Sequence, residues 1–126
     1  MITGLYAALA ALMFVGLSLW VIARRMGTRI SLGAGEDKAL EKRMRVQANF
    51  VEYTPIALLL ILLLELQSTP AWALHALGLA LLAGRVMHAY GFGRKAQILI
   101  LRQAGMVTTL SVIAIAAITL ALGWIL

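Results

Sequence analysis

Four long apolar segments constrain this chain more than any other feature of its sequence. The spans that they predict cover about residues 2–25, 38–66, 71–91 and 103–126, and the second begins with a polar helical pattern before its apolar run from about Phe50. In a helix, about 20 apolar residues span the ~30 Å of hydrocarbon in a bilayer. Hydrophobic residues make up 63% of the 126 residues, more than the interior of so small a soluble domain can bury. The sequence therefore predicts a single domain, residues 1–126, folded as an all-α integral membrane four-helix bundle with up-down topology.

The basic residues indicate how the bundle is oriented. None of the eleven Lys and Arg lies before Arg24, between residues 46 and 84, or after Arg102. The positive-inside rule places the 24–45 and 91–102 loops in the cytoplasm, so both the N-terminus and the C-terminus are expected outside. The net charge of +6 is thus explained by topology, and no nucleic-acid partner is expected. Cysteine is absent, which excludes a thiolate metal site and a cysteine nucleophile, and no metal is expected.

A polar stripe interrupts the apolar pattern early in the second segment, in RVQANFVEYTP (45–55). At ~100° per residue Arg45, Asn49 and Glu52 lie on one helix face, with Glu52 about 10 Å deeper in the membrane than Arg45. A carboxylate facing lipid at that depth costs about 3 kcal/mol, so Glu52 should face protein or water. Pro55 is expected to kink the helix nearby. Two interpretations remain open, a ligand site or a structural network that joins helices.

Basic residues of the third and fourth segments are candidate partners for this stripe. Arg85 and His88 share a helix face at i, i+3, and Arg102 lies at the start of the fourth segment. Together with the arginine of the stripe, they predict a pocket for a small anionic or zwitterionic ligand. The alternatives are arginines that snorkel to headgroups and a histidine that only packs and hydrogen-bonds. Glu65 and His75, toward the other membrane face, are interpreted as structural.

The same residues resemble a family signature. R-x-Q-x-N-x-x-E-Y-x-P resembles the helix-two motif of the MAPEG proteins, the membrane-associated proteins of eicosanoid and glutathione metabolism. Here the motif is formed by Arg45, Gln47, Asn49, Glu52, Tyr53 and Pro55. GRVMHAYGF (84–92) and RQAGM (102–106) resemble the helix-three and helix-four segments of the short bacterial branch of that family. The resemblance extends over essentially the whole chain.

The resemblance implies a homotrimer in a bacterial inner membrane, with glutathione as co-substrate between adjacent subunits on the cytoplasmic side. The implied activity is that of a glutathione transferase, with peroxidase as a further activity, acting on lipophilic small molecules from the bilayer lipid. The implied glutathione-binding residues are Arg45, Gln47, Asn49, Glu52, Tyr53, Arg85, His88 and Tyr90. Arg102 is the implied catalytic residue, because an arginine beside the thiol stabilises the thiolate.

Two other functions are considered beside the enzyme. A non-catalytic binding or scaffold protein of the same architecture would share the stripe and lack thiolate activation. A small four-span multidrug exporter has a similar length but depends on a carboxylate in its first span. The first segment here has no charged residue before Arg24, which disfavours an exporter.

Overall fold

The computed structural model describes all 126 residues, and it contains four α-helices that run up and down in one bundle. The helices are α1 (Ile2–Thr28), α2 (Lys38–Leu66), α3 (Ala71–Gly93) and α4 (Leu99–Ile125). The predicted all-α four-helix fold is confirmed. Helix α4 begins at Leu99 and not at residue 103, so Arg102 lies inside its first turn.

The helices are arranged in three layers. α2 and α3 contact each other in the middle, α1 packs on one side of this pair, and α4 packs on the other. α1 and α4 do not contact each other. The apolar core lies between α2, α3 and α4 in the half of the bundle nearest the chain termini. It is formed by Ala57, Ile61, Leu64, Leu74, Leu81, Val112 and Ala116.

The helix surfaces fit a bilayer. α1, α2 and α4 are each long and apolar enough to cross a membrane. Many large apolar side chains are exposed on them, such as Leu12 at 70% and Ile118 at 61%, as expected for contact with lipid. α3 has 23 residues, and its charged Arg85 and its His88 are buried against other helices. The chain is therefore an integral membrane protein.

The connection from α1 to α2 is a polar turn region that contains two glycines. Gly33 and Gly35 both have positive φ angles, which glycine adopts without strain. Asp37 caps α2, because its carboxylate accepts a hydrogen bond from the backbone N–H of Leu40 at 2.9 Å. It also forms a salt bridge with Arg24 at 2.9 Å. The Leu40 N–H first, and then Arg24, hold the pKa of Asp37 below its ordinary value.

At the other end of the bundle, two polar groups join α1 to its neighbours. Glu65 of α2 accepts hydrogen bonds from the backbone N–H groups of Ile2 and Thr3, so it caps the start of α1. The Tyr6 hydroxyl contacts His75 Nδ1 of α3 at 2.8 Å. These contacts support the structural interpretation of Glu65 and His75. α2 itself is helical on both sides of Pro55.

Candidate functional site

A small polar cleft lies between α2, α3 and α4 at the end of the bundle that carries the basic loops. Its lining residues are Arg45, Asn49, Glu52, His88, Phe92 and Arg102. All except Phe92 belong to the predicted site. The volume is about 40 Å³, whereas ligand sites of small molecules occupy roughly 300–1,000 Å³. The polar cleft of a single chain is therefore too small to enclose a ligand of that size.

The polar stripe of α2 forms one wall of this polar cleft. Arg45, Asn49 and Glu52 recur at i, i+4 and i+7, which places them on the same side of the helix. Arg45 and Glu52 are exposed, and neither forms a hydrogen bond or a salt bridge within the chain. Two opposite charges on this wall are thus free to bind a charged ligand.

An aromatic stack forms the opposite wall. The His88 and Phe92 rings lie one helical turn apart on α3, with centroids 5.8 Å apart and planes 12° apart. The Arg102 guanidinium of α4 lies over Phe92, 4.0 Å from the ring centroid. Its Nη1 also donates to Gln97 Oε1 at 3.1 Å. This cation–π contact holds the Arg102 guanidinium at the polar cleft. The four-residue spacing of His88 and Phe92 predicts that both lie on one face of α3.

Arg85 lies beneath the polar cleft and not on its surface. The side chain is 2% exposed and has no carboxylate partner. Its Nε donates to Thr109 Oγ1 at 3.0 Å, and its Nη1 donates to both Oδ1 and the backbone carbonyl of Asn49. Nη2 contacts the sulfur of Met106 at 3.4 Å. Within the chain Arg85 therefore joins α2, α3 and α4 and positions the Asn49 side chain.

The other predicted site residues lie outside the polar cleft. Tyr53 is half-buried, with its ring 5.8 Å from the Arg85 guanidinium. The Gln47 amide donates to Ser18 Oγ at 2.8 Å and so joins α2 to α1. Tyr90 is exposed, and its hydroxyl accepts a hydrogen bond from Arg94. Any ligand contact of Gln47 or Tyr90 would have to form on a different surface of the chain.

Three glycines bring the walls of α3 and α4 together. A Cβ atom on Gly105 would lie 2.5 Å from the Gly84 carbonyl oxygen and 2.5 Å from the His88 nitrogen. A Cβ atom on Gly91 would lie 2.6 Å from the Arg102 nitrogen. Only glycine permits such close contact between helix backbones. The i, i+7 spacing of Gly84 and Gly91 was the sequence signal for this contact, and it was missed.

Comparisons with known proteins agree with this architecture. The model of the MAPEG family matches residues 3–124. Two similar proteins are the inner membrane protein YecN of Escherichia coli strain K12 and the protein of the same name in Escherichia coli O6:H1 strain CFT073. Each is 42% identical over 92 residues, which cover 73% of this chain and 70% of the relative. Their names state a location and no activity. The four-helix membrane fold and the match over nearly the whole chain show that the protein belongs to the MAPEG family.

Proposed function

We propose that this protein is a membrane-bound glutathione transferase, with peroxidase as a further activity. It activates the glutathione thiol for attack on lipophilic electrophiles that arrive from the bilayer. The observation that carries the proposal is the presence of unpaired Arg45 and Glu52 opposite Arg102 in one polar cleft of a MAPEG chain. The names of the two relatives support a bacterial inner membrane as its location.

The charges of the polar cleft complement those of glutathione, which carries one ammonium and two carboxylate groups. The Glu52 carboxylate would accept hydrogen bonds from the ammonium group, and the Arg45 guanidinium would bind a carboxylate. Charged hydrogen bonds of this kind are roughly twice as strong as neutral ones. They also give a counter-ion to two side chains that lack one in the chain.

Arg102 is the proposed catalytic residue. A free thiol has a pKa of about 8.5, and only its thiolate attacks electrophiles well. A guanidinium at hydrogen-bond distance stabilises the anion by charge and by donation. Lowering the thiol pKa by two units requires about 2.7 kcal/mol. The thiol proton leaves to water, and the thiolate sulfur then forms a bond to the electrophilic carbon as the leaving group departs with its electron pair.

We further propose that the site is completed in a homotrimer. The polar cleft has a volume of only about 40 Å³, and its charged wall is exposed on the surface of the chain. A neighbouring subunit packed against this wall would enclose glutathione between two chains. Exclusion of water would in turn strengthen the charge interactions that hold the ligand.

The test is a thiolate titration of Arg102→Ala. Wild-type protein mixed with glutathione should show the ultraviolet absorbance of a thiolate at neutral pH and should conjugate a chloronitrobenzene. The thiolate absorbance of Arg102→Ala should be lower than that of the wild type by roughly tenfold or more, because the thiol pKa returns toward 8.5. Arg94→Ala is the matched control, since Arg94 is an exposed arginine of the adjacent loop that does not line the polar cleft.

The same titration separates the enzyme from a non-catalytic binding protein. In the chain, Arg102 is already stacked on Phe92 and bonded to Gln97, which also suits a purely structural arginine. Glutathione binding without a thiolate signal in the wild type would favour the binding protein. An Arg102→Ala variant that keeps both signal and conjugation would contradict the assigned role of Arg102.

A further inference from the structure

A second and larger cleft lies at the same end of the bundle, on the opposite side of the α2–α3 layer. We call it the basic cleft. It is formed by the end of α1, the start of α2 and the end of α3, and its volume is about 600 Å³. Five of its eight lining residues are basic, and Trp20 lies among them. The basic residues are Arg24, Lys38, Lys42, Arg43 and Lys95.

The basic cleft has an excess of positive charge. Arg24 pairs with Asp37 at 2.9 Å, and Lys38 pairs with Glu41 at 3.4 Å. The other three cations have no carboxylate partner, and two of them donate to neutral backbone oxygens. Lys42 bonds to the carbonyl of Arg94, and Arg43 bonds to the carbonyl of Trp20. Three positive charges around one cavity therefore lack a counter-ion within the chain.

The position of Trp20 is fixed by its neighbours. The Arg43 guanidinium lies over the indole ring, 4.9 Å from its centroid. The indole also packs closely on α3, because a Cβ atom on Gly93 would lie 2.7 Å from its Cη2 atom. Tryptophan is enriched at the level of lipid headgroups. The basic cleft therefore lies at the membrane boundary.

We propose that the basic cleft binds the phosphate group of an anionic phospholipid. Phosphate oxygens accept charge-assisted hydrogen bonds from Lys and Arg. Basic pockets between transmembrane helices on the cytoplasmic side attract anionic headgroups. Both the charge excess and the level of this cleft in the membrane fit such a headgroup.

An apolar surface beside the basic cleft favours a lipid over a soluble phosphate. Val86 lies two turns before Gly93 on the same face of α3, and its side chain is 55% exposed. Leu79 lies two turns further along that face and is 61% exposed. An acyl chain that leaves a headgroup in the basic cleft would lie along these residues. A soluble anion would make no use of them.

The test compares headgroups on the purified protein in detergent by native mass spectrometry. Short-chain phosphatidylglycerol and phosphatidylcholine of equal chain length are added to the wild type and to Lys42→Gln/Lys95→Gln. The wild type should bind phosphatidylglycerol about tenfold or more tightly than phosphatidylcholine. Each basic residue near an anionic lipid contributes about fivefold in affinity. The affinity of the double variant for phosphatidylglycerol should therefore fall by roughly 25-fold, while its affinity for phosphatidylcholine should not change.

The matched control is Arg29→Gln/Arg94→Gln. It removes the same charge from exposed residues of the same end that do not line the basic cleft, and its affinity should change less than about threefold. An equal loss in this control, or equal binding of both lipids by the wild type, would overturn the proposal. Glycerol phosphate that binds as tightly as the lipid would overturn the lipid assignment. Neither variant touches the polar cleft, so these outcomes do not depend on the proposed enzyme activity.

Discussion

Arg85 has a charged side chain in the interior of the bundle without a carboxylate beside it. Burial of a charge is tolerated only when its hydrogen bonds are made. Here the acceptors are neutral, namely the side chain and backbone of Asn49 and the hydroxyl of Thr109. Asn49 is thus held in the wall of the polar cleft by a residue that no ligand needs to touch.

Asn49→Ala should destabilise the protein, because Arg85 would lose an acceptor while it remains buried. The free energy of unfolding, measured in detergent, should decrease by about 3 kcal/mol. Asn49→Asp should recover most of it, since a carboxylate pairs directly with the guanidinium. Gln103→Ala, an exposed amide on α4, is the control and should change little. Equal stability of Asn49→Ala and the wild type would show that Asn49 is not needed by Arg85.

Most residues that line the polar cleft were predicted from the sequence, but the packing of the helices around them was not. Helical periodicity is sufficient to put Arg45, Asn49 and Glu52 on one face. Periodicity does not predict which neighbouring helix packs against that face. Gln47 was implied only by the family motif; it lies two residues after Arg45 and so on the other side of α2, where it bonds to Ser18 of α1. The stack of Arg102 on Phe92 depends on how closely α3 and α4 approach, which periodicity does not give.

Among the elements, α3 and α4 form the closest pair. Their contact passes through Gly84, Gly91 and Gly105, where backbone atoms of one helix occupy the space of a side chain on the other. The contact lies next to His88 and Arg102, so the packing of these helices determines the geometry of one wall of the polar cleft.

Gly105→Ala should separate α3 from α4. The new methyl group would meet backbone atoms of Gly84 and His88, which cannot rotate away. We expect a loss of about 2 kcal/mol or more in unfolding free energy. Gly16→Ala is the matched control, because a Cβ atom on Gly16 meets nothing within 4 Å. That change should stabilise α1 by roughly 0.5–1 kcal/mol. Similar effects of the two substitutions would contradict the close helix contact.

Asp37 should make the stability of the α1–α2 junction depend on pH. Its folded pKa is below the ordinary value of 3.8, so it contributes stability above pH 3.8. That contribution is lost as the pH falls through the lower folded pKa. Asp37→Asn keeps an N-cap acceptor but does not titrate, so its melting temperature should fall less in acid than that of the wild type. An identical acid dependence of both proteins would rule out this role.

The start of α2 was predictable from its acidic residues, whereas the start of α4 was not. Asp37 provides a capping side chain that can be read from the sequence. α4 has no capping side chain, and its first residues are fixed by a backbone hydrogen bond from Ile98 to Gly91 at 2.9 Å. This contact joins the last turn of α3 to the residue before α4, and no capping side chain in the sequence signals it.

For the whole molecule, the charge pattern makes a prediction about orientation that the fold alone does not test. The α2–α3 turn should be outside, and the basic loops should be in the cytoplasm. The chain lacks cysteine, so single cysteines can be introduced without background. Ser68→Cys should react with a membrane-impermeant maleimide in intact cells. Lys95→Cys should react only after the cells are permeabilised. The reverse pattern would show that the bundle is inverted.

The glycine contact between α3 and α4 has a consequence for the proposed reaction. The close approach of the two backbones fixes the position of His88 relative to Arg102. Glu52 belongs to α2, which is joined to this pair near the polar cleft through the hydrogen bonds of Arg85 with Asn49. In the proposed complex α2 would hold the amine of glutathione and the α3–α4 pair would hold its sulfur. The affinity for glutathione and the pKa of its thiol would therefore both depend on how α2 packs against that pair.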